Sequence, residues 1–288
     1  MATLSDIVKI LEDLYPLSLA ESWDNPGLIV GDPSHKVNKI VCLSDPTLEA
    51  VNEACKMGAD LIVSHHPLFF RAVHEVSGFS VRGKIVQTLI ENRCGLWVGH
   101  TNADAAFRGV AAAAASAFGL KDLQPLVPAS NDDPSLGLGR VGVLEKEITL
   151  KEFAMRVFNA LPATKLGVQV CGDVNAIVSK IAVLPGSGDS LFDDVRACGA
   201  DVYVTSDLRH HPATDAYEQA VYESKLANSS IAKPMLINTP HSAIESLWFE
   251  YAVKDIQDSV YKNLGESIDV LWIGRAFDPW NYVINYRD

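Results

Sequence analysis

Three short stretches of this 288-residue chain carry residue types that bind metal ions or transfer protons. The first is "LIVSHHPLFF" (61–70), in which His65 and His66 end an apolar run and precede Pro67. Successive side chains of a strand point to opposite faces, so these imidazoles converge only if the strand ends there and the backbone turns. Pro67 favours such an ending because it lacks an N–H and keeps His66 out of the α region.

The other two stretches place histidines and carboxylates at similar points. In "VGHTNADAA" (98–106) an apolar strand runs into a loop that contains His100 and Asp104. In "NTPHSAIESLWFEY" (238–251) Thr239 and Pro240 favour the start of a helix, on which His241 and Glu245 lie four residues apart and share a face. Ligands of open α/β sheets gather in the crevice beyond the strand ends, where such residues would lie.

Neutral imidazoles and carboxylates together suit Zn, Fe, Mn or Ni, whereas the lack of a CxxC pair argues against a structural zinc site. Three histidines and two carboxylates exceed what one catalytic ion usually needs, and two ions that share a bridging carboxylate would use them all. Spacing alone also fits an ordinary solvated histidine pair, an exposed polar pair on a helix and a capping aspartate. His210 and His211 fit surface residues, partners of metal ligands or substrate contacts.

Composition narrows the class of protein. A formal charge of −12 and a pI near 5.1 argue against a broad nucleic-acid-binding surface. The five cysteines are scattered, so we expect reduced thiols in a cytoplasmic protein. The N-terminal stretch has the apolar face of a core-packing helix and no signal-peptide pattern, and no apolar run is long enough to span a membrane.

Strands and helices alternate along the chain, which indicates an α/β fold. The predicted strands are 39–44, 60–65, 95–100, 139–144, 180–186, 201–207 and 233–238. The predicted helices are 46–57, 83–93, 109–118, 149–160, 189–198 and 241–256. The segment 125–139 is rich in Pro, Ser, Asp and Gly and is the best candidate for a linker.

The chain also contains an internal repeat. "KMGADLIVSHHPLFF" (56–70) resembles "ACGADVYVTSDLRHH" (197–211), and upstream "IVCL" from Ile40 matches "IAVL" from Ile181. Two copies of a strand–helix–strand unit explain the match. In register, the second copy has Ser206 and Asp207 where the first has His65 and His66.

Taken together, the motifs resemble the Nif-three-like family, dinuclear-metal proteins often named GTP cyclohydrolase I type 2. "ESWDNPGLIVGD" (21–32), "ADLIVSHHPLFF", "GHTNADAA", "VTSDLRHHPATDA" and "TPHSAIES" follow in the family's order and approximate spacing. The resemblance extends to "AFDPW" near the C-terminus. It departs from the family at Asn238, Pro240, Ser242 and Ala103, which leaves the ligands intact and bears on substrate preference.

The resemblance implies two α/β domains related by the repeat: a discontinuous metal-binding domain of residues 1–124 plus 236–288, and an inserted domain of residues 125–235. It also implies a homo-oligomer, a toroidal hexamer, with two divalent metal ions per chain. The family's ligands carry over to His65, His66, Asp104, His241 and Glu245, and His100 lies beside them as a candidate proton shuttle. Asp104 and Glu245 are the candidates to bridge the ions.

Two functional hypotheses follow. In the first, the protein is a metal-dependent hydrolase that uses a metal-activated water, as in a GTP-cyclohydrolase-type reaction on a small-molecule substrate such as a nucleotide. The sequence has no P-loop, and "GSGDS" (186–190) fits a plain turn better than an anion site. In the second, the same ligands belong to a metal-binding, metal-delivery or regulatory interaction protein without turnover. Neither involves a membrane or nucleic acid.

Overall fold

The computed structural model describes residues 1–129 and 133–284, and the chain has a mixed α/β fold, as predicted. The helices are α1 Leu4–Leu14, α2 Leu48–Lys56, α3 Val81–Glu91, α4 Thr101–Ala105, α5 Val110–Ala117, α6 Leu150–Ala160, α7 Phe192–Cys198, α8 His210–Leu226, α9 His241–Ser246 and α10 Phe249–Leu264. The strands are β1 Gly27–Val30, β2 Lys39–Leu43, β3 Leu61–Ser64, β4 Gly95–Val98, β5 Leu120–Gln124, β6 Val127–Pro128, β7 Gly137–Leu138, β8 Arg140–Thr149, β9 Gln169–Cys171, β10 Ile177–Ser187, β11 Val202–Ser206, β12 Met235–Thr239 and β13 Asp269–Trp272. Among the helices of these described residues, none is long and apolar enough to cross a membrane.

The chain divides into two compact units. The first comprises Met1–Gly109 and Phe249–Phe277, and the second comprises Val110–Trp248 with residues from Asp278 onward. The sheet of the first unit has the order β1–β4–β3–β2–β13, in which only the pairing of β1 with β4 is antiparallel. The sheet of the second unit has the order β5–β8–β10–β11–β12–β9, with β10, β11 and β12 parallel to one another.

Helix α2 shows why these sequences form amphipathic layers. Its N-cap residue Thr47 accepts a hydrogen bond from the backbone N–H of Ala50, which satisfies one of the free donors of the first turn. Ala50, Val51 and Ala54 share the buried face and pack with the strands of the first unit. In the second unit, α6 begins with a capping box between Thr149 and Glu152 and buries one apolar face in the same way.

The predicted internal repeat is confirmed in the pairing register. Ile40 of β2 pairs with Leu61 of β3, and in the second copy Ile181 of β10 pairs with Val202 of β11. Both pairs are parallel, and each copy has a helix, α2 or α7, between its two strands. A third parallel strand follows in each copy, so that Leu61 also pairs with Gly95 and Val202 also pairs with Met235.

Each copy also repeats one carboxylate that accepts backbone hydrogen bonds. Asp60 accepts hydrogen bonds from the backbone N–H groups of Asn38 and Lys39, at 2.7 and 3.0 Å. The corresponding carboxylate, Asp201, accepts from the N–H groups of Ser179 and Lys180, near the start of β10, at 2.8 and 2.9 Å. The "GAD" signature therefore marks a carboxylate that ties the start of one strand to the start of the next.

The boundaries of the two units differ from the domain boundaries predicted from the sequence. Helix α5 packs on β5, β8 and β10, and α9 packs on β10, so both helices belong to the second unit. The prediction of a linker at 125–139 is wrong, because β6 and β7 lie in this segment and pair with each other. Residues 130–132 of the segment lie outside the described residues.

The seven predicted strands all occur, but one predicted helix is divided in two and the long helix α8 was not predicted. The helix predicted over 241–256 divides into α9 and α10 on either side of Leu247 and Trp248. The 17-residue helix α8 has no counterpart among the predicted helices. It buries only Ala216 and Ala220, so its sequence lacks the apolar periodicity by which a surface helix is recognised.

Candidate functional site

His65 and His66 follow directly on the last residue of β3. The backbone N–H of His65 donates to the carbonyl of Leu43, and that of His66 donates to the carbonyl of Ser44. Because the strand ends at Ser64, the two imidazole rings are not held on opposite faces, and their centroids lie 5.0 Å apart. The convergence that the dipeptide required is therefore present in the folded chain.

The Nδ1 atoms of both histidines form hydrogen bonds to oxygen atoms. Nδ1 of the fully buried His65 lies 2.9 Å from the carbonyl oxygen of Gly99, so it carries the proton and donates. Nδ1 of His66 lies 2.7 Å from a carboxylate oxygen of Asp45, just beyond the end of β2. Metal-binding histidines typically donate one ring N–H in this way and coordinate through Nε2.

His100 lies between β4 and α4, and its ring is 5.4 Å from that of His65 and 6.0 Å from that of His66. Its Nδ1 lies 3.0 Å from Oδ2 of Asp24, which also accepts from the backbone N–H and the hydroxyl of Thr101. Burial alone would raise the pKa of Asp24, but the hydrogen bonds from His100 and Thr101 outweigh it and lower that pKa to about 2. Asp24 is therefore an anionic acceptor at neutral pH.

Asp104 lies on the short helix α4, and its Oδ1 is 3.8 Å from Nε2 of His65. The turn before this helix is held by Asn102, whose side-chain oxygen accepts from the N–H of His100 and whose amide donates to the carbonyl of Tyr15. The "HTNAD" stretch thus supplies both a carboxylate and the residue that shapes the turn. We call His65, His66 and Asp104 the first donor set.

The second unit contains the other predicted pair. His241 is the first residue of α9, and its Nε2 lies 3.0 Å from Oε1 of Glu245, one turn further along the helix. The Glu245 side chain is 4% exposed, whereas that of His241 is 30% exposed. We call His241 and Glu245 the second donor set. Pro240 is the N-cap and not the first helical residue that its type favours.

Two residues that the sequence did not reveal shape the second donor set. Nδ1 of His241 lies 2.8 Å from the carboxylate of Asp207, which follows β11 and has a positive φ of 50°. Gly186 has φ +84°, and a Cβ atom at this position would lie 2.8 Å from Oε1 of Glu245. Gly186 in "GSGDS" thus leaves space for the Glu245 carboxylate. The presence of a glycine was the only feature of the sequence that indicated this role.

Asp207 also explains the difference between the two repeats. The repeat register places Asp207 at the position of His66, and Ser206 at the position of His65. The second copy therefore has an acceptor for a histidine where the first copy has a histidine. Ser206 shares a hydrogen bond of 2.9 Å with Thr239 on the neighbouring strand β12.

His210 and His211 lie apart from these contacts. Both are exposed at the start of α8, with ring centroids 5.1 Å apart. Of the three interpretations that the sequence left open for them, exposure fits surface residues and substrate contacts.

The four histidines at the strand ends and the helix start share one arrangement. In each of His65, His66, His100 and His241, Nδ1 has an oxygen acceptor within the histidine's own unit. Nε2 is consequently the ring nitrogen that would coordinate a metal ion, and in His241 it lies beside Oε1 of Glu245. Imidazole nitrogens and carboxylate oxygens are a donor combination that suits zinc and the divalent ions of iron, manganese and nickel.

Comparisons with known proteins match nearly the whole chain. The profile of the Duf34/NIF3 (NGG1p interacting factor 3) family matches residues 2–275. The GTP cyclohydrolase 1 type 2 homolog of Streptomyces coelicolor is 41% identical, over 97% of this chain and 94% of its own length. The protein of that name from Clostridium perfringens is 34% identical, over 97% of this chain and 99% of its own. The crystal structure of a Bacillus cereus protein related to NIF3 is similar in fold, with a TM-score of 0.83 at 23% identity, covering 98% of this chain and 99% of that one.

Proposed function

Because this chain belongs to the Duf34/NIF3 family, we propose that it binds two divalent metal ions and uses them to hydrolyse a small molecule. The ligands in this proposal are the two donor sets, His65, His66 and Asp104 with His241 and Glu245. Asp104 and Glu245 would supply the carboxylate ligands. The observation that supports it most is the acceptor held by Nδ1 of each histidine, which orients Nε2 toward a ligand.

When bound, the ions would lower the pKa of a coordinated water toward neutrality and polarise a substrate oxygen or ring atom. The chain's own residues orient the histidines and transfer the proton. Asp45 and Asp207 fix the ring orientation of His66 and His241. Asp24 accepts a hydrogen bond from Nδ1 of His100 and so fixes the orientation of that ring. We propose that His100 passes a proton through its other ring nitrogen, Nε2.

The substrate class we propose to test first is a purine nucleotide. The curated relatives are named as homologs of GTP cyclohydrolase 1 type 2, and that name is the support for this choice. We also propose, from the family resemblance, that the protein assembles as a homohexamer in the cytoplasm. Light scattering of the purified protein would measure the assembly, and a mass of one or two chains would contradict the hexamer.

Metal analysis tests the binding proposal directly. The protein should be purified without a histidine tag or chelator, and metals measured by inorganic mass spectrometry. We expect about two ions per chain, lost together in Asp104→Ala and in Glu245→Ala. His211→Ala is the matched control, since His211 is exposed on α8, and it should keep both ions. One ion or none in the wild type would overturn the dinuclear proposal.

Turnover is tested separately on the metal-loaded protein. A panel of nucleotides that includes GTP, together with simple phosphoesters, should yield a product by liquid chromatography. His65→Ala should abolish that product, because the buried His65 contributes a ligand in our assignment. Product formation that survives His65→Ala would contradict the hydrolase mechanism, and full metal occupancy without any product would favour a metal-delivery or regulatory role.

A further inference from the structure

Two aromatic side chains of the first unit contact the imidazole of His100. The ring of Trp23 lies 5.8 Å from that of His100 between centroids, and the two ring planes are inclined at 79°. The ring of Phe70 lies at the same distance, 5.8 Å, with an angle of 85°. Both are edge-to-face contacts, one of the arrangements that aromatic rings prefer. The residue that we assign as proton shuttle therefore contacts two large aromatic rings.

Both rings keep much of their surface open to solvent. The exposed fraction is 59% for Trp23 and 55% for Phe70. A perpendicular neighbour covers at most one face of a ring, so His100 leaves at least one face of each ring uncovered. Single exposed apolar side chains are common on protein surfaces, but two exposed rings that contact the same histidine of a candidate site indicate a ligand contact.

The backbone around Trp23 is fixed by hydrogen bonds. The N–H of Asp24 donates to the carbonyl of Glu21 at 2.9 Å, which closes a turn that contains Trp23. The N–H of Glu21 donates to the hydroxyl of Thr101 at 2.9 Å. The carboxylate of Asp24 accepts from Thr101 and from His100. Since the turn is already ordered, a ligand that binds to the indole would not have to order the backbone.

The chain is also anchored directly before Phe70. Leu68 is buried, and Phe69 packs against the apolar core of the first unit. The carbonyl of Leu68 accepts a hydrogen bond from the guanidinium of Arg82. In the sequence repeat, the position of Phe70 is occupied by His211, so the repeated fold does not itself require phenylalanine there.

The hydrogen bonds of Asp24 favour a neutral ring over a cation as the ligand. Aromatic rings can also bind ammonium groups, and a free carboxylate nearby would strengthen such a site. The carboxylate next to Trp23 in the chain is that of Asp24, which accepts through both oxygens: Oδ1 from the N–H of Asn25, and Oδ2 from His100 and Thr101. A planar heterocycle needs no counter-ion and stacks on the faces of aromatic side chains.

We propose that Trp23 and Phe70 bind a planar nitrogen heterocycle of the purine type by stacking, and so determine the substrate class of the candidate site. This inference rests on the proposed function in one respect, that the bound heterocycle is part of the substrate. Stacking depends on the flat face of the ring and little on its substituents. The pair should therefore select purines as a class without distinguishing guanine from adenine.

The test uses inosine, a purine nucleoside without phosphate, and the full-length protein as purified. Proton NMR follows H2 and H8 of the purine, which move upfield when the ring stacks on an aromatic side chain, and a titration gives the Kd. We expect upfield movement of both protons, unchanged when a chelator is added, and no binding of ribose. Loss of binding with the chelator would overturn the proposal, because the metal ions would then hold the ring.

Two variants test the residues. Trp23→Leu and Phe70→Leu should each weaken inosine binding about five- to hundredfold, the usual effect of removing one stacking side chain, and reduce the upfield movement. Trp23→Phe should retain most of the affinity because it keeps an aromatic ring. Phe79→Leu is the matched control: Phe79 is an exposed aromatic residue of the first unit, directly before the N-cap of α3, and its variant should bind as the wild type does.

Circular dichroism shows whether each variant is folded. The proposal is overturned if H2 and H8 of inosine do not move, if folded Trp23→Leu and Phe70→Leu bind inosine as tightly as the wild type, or if tetramethylammonium or ribose binds and inosine does not. These measurements need no turnover, so failure of the hydrolase proposal is recognised separately. Inosine binding through Trp23 without any product supports the heterocycle site and contradicts only the hydrolase function.

Kinetics of the metal-loaded protein link the heterocycle to the substrate. Trp23→Leu should raise the KM of a purine nucleotide by about the factor found for the Kd of inosine, and leave the KM of simple phosphoesters unchanged. An equal rise for both classes of substrate would overturn the assignment of the bound ring to the substrate.

Discussion

Nδ1 of His241 lies 2.8 Å from the carboxylate of Asp207, a residue that occupies the repeat position of His66. One copy of the strand–helix–strand unit thus contributes a histidine at this position, and the other contributes the acceptor that orients a histidine elsewhere in its own unit. The duplicated scaffold retains a polar group at this point in both copies, but the two groups have different roles.

We predict that Asp207→Gly weakens metal binding about ten- to hundredfold, the usual effect of removing the partner of a metal-binding histidine. Glycine tolerates the positive φ of 50° at this position, so the backbone need not move. Asp207→Asn should weaken binding less, since its amide oxygen still accepts from His241. Affinity is measured by competition with a chromogenic chelator. The control is Asp215→Asn, because Asp215 is exposed on α8. Unchanged affinity in Asp207→Gly would contradict the role of Asp207.

Gly186→Ala should displace the Glu245 carboxylate, because the added Cβ would lie 2.8 Å from Oε1. Gly199→Ala is a matched control in the same unit: its φ is +70°, so it carries similar backbone strain, but nothing lies within 4 Å of its added Cβ. Both variants should lose about 1–3 kcal/mol of stability from that strain. Only Gly186→Ala should lose metal as well, measured by metal content after gel filtration. Equal metal content in the two would refute the steric argument.

Asp24 should stabilise the first unit in a pH-dependent way. Its pKa in the folded chain is about 2, below the ordinary value of 3.8, so its stabilising effect is present above pH 4 and is lost as the pH falls through about 2. The difference corresponds to about 2 kcal/mol. Urea unfolding of wild type and Asp24→Asn should differ by about that amount at pH 7, and the difference should shrink toward pH 2. A difference that does not vary with pH would argue against an ionised Asp24 as the cause.

Asp60 and Asp201 should make equivalent contributions to their two units. Each accepts two backbone N–H groups at the start of a strand, so alanine at either position should lower the free energy of unfolding of that unit by about 2–3 kcal/mol. Hydrogen exchange resolves the two units: Asp60→Ala should speed exchange in β2 and β3, and Asp201→Ala in β10 and β11. Slower or unchanged exchange in the adjacent strands would contradict this role for the "GAD" carboxylate.

Several features were predictable from the sequence because they depend on local pattern. The apolar runs predicted the parallel strands β2, β3, β4, β10, β11 and β12, and the "GAD" match predicted the repeat whose register Ile40 and Ile181 confirm. Helix α8 was missed because a helix that buries little has no apolar periodicity. The strand β1 was missed because it lies at the edge of its sheet and is only partly buried, whereas the equally short β3 and β4 are buried throughout.

The sequence by itself determined which residue types end the strands and begin α9, and so determined that imidazoles and carboxylates are the available donors. The tertiary structure decided which nitrogen of each imidazole is engaged. Asp24 reaches His100 across 76 residues of chain, and Asp207 reaches His241 across 34. A hydrogen bond of about 3 Å between such distant residues depends on how strands and loops are placed in the folded unit, and no local pattern of residues encodes that placement.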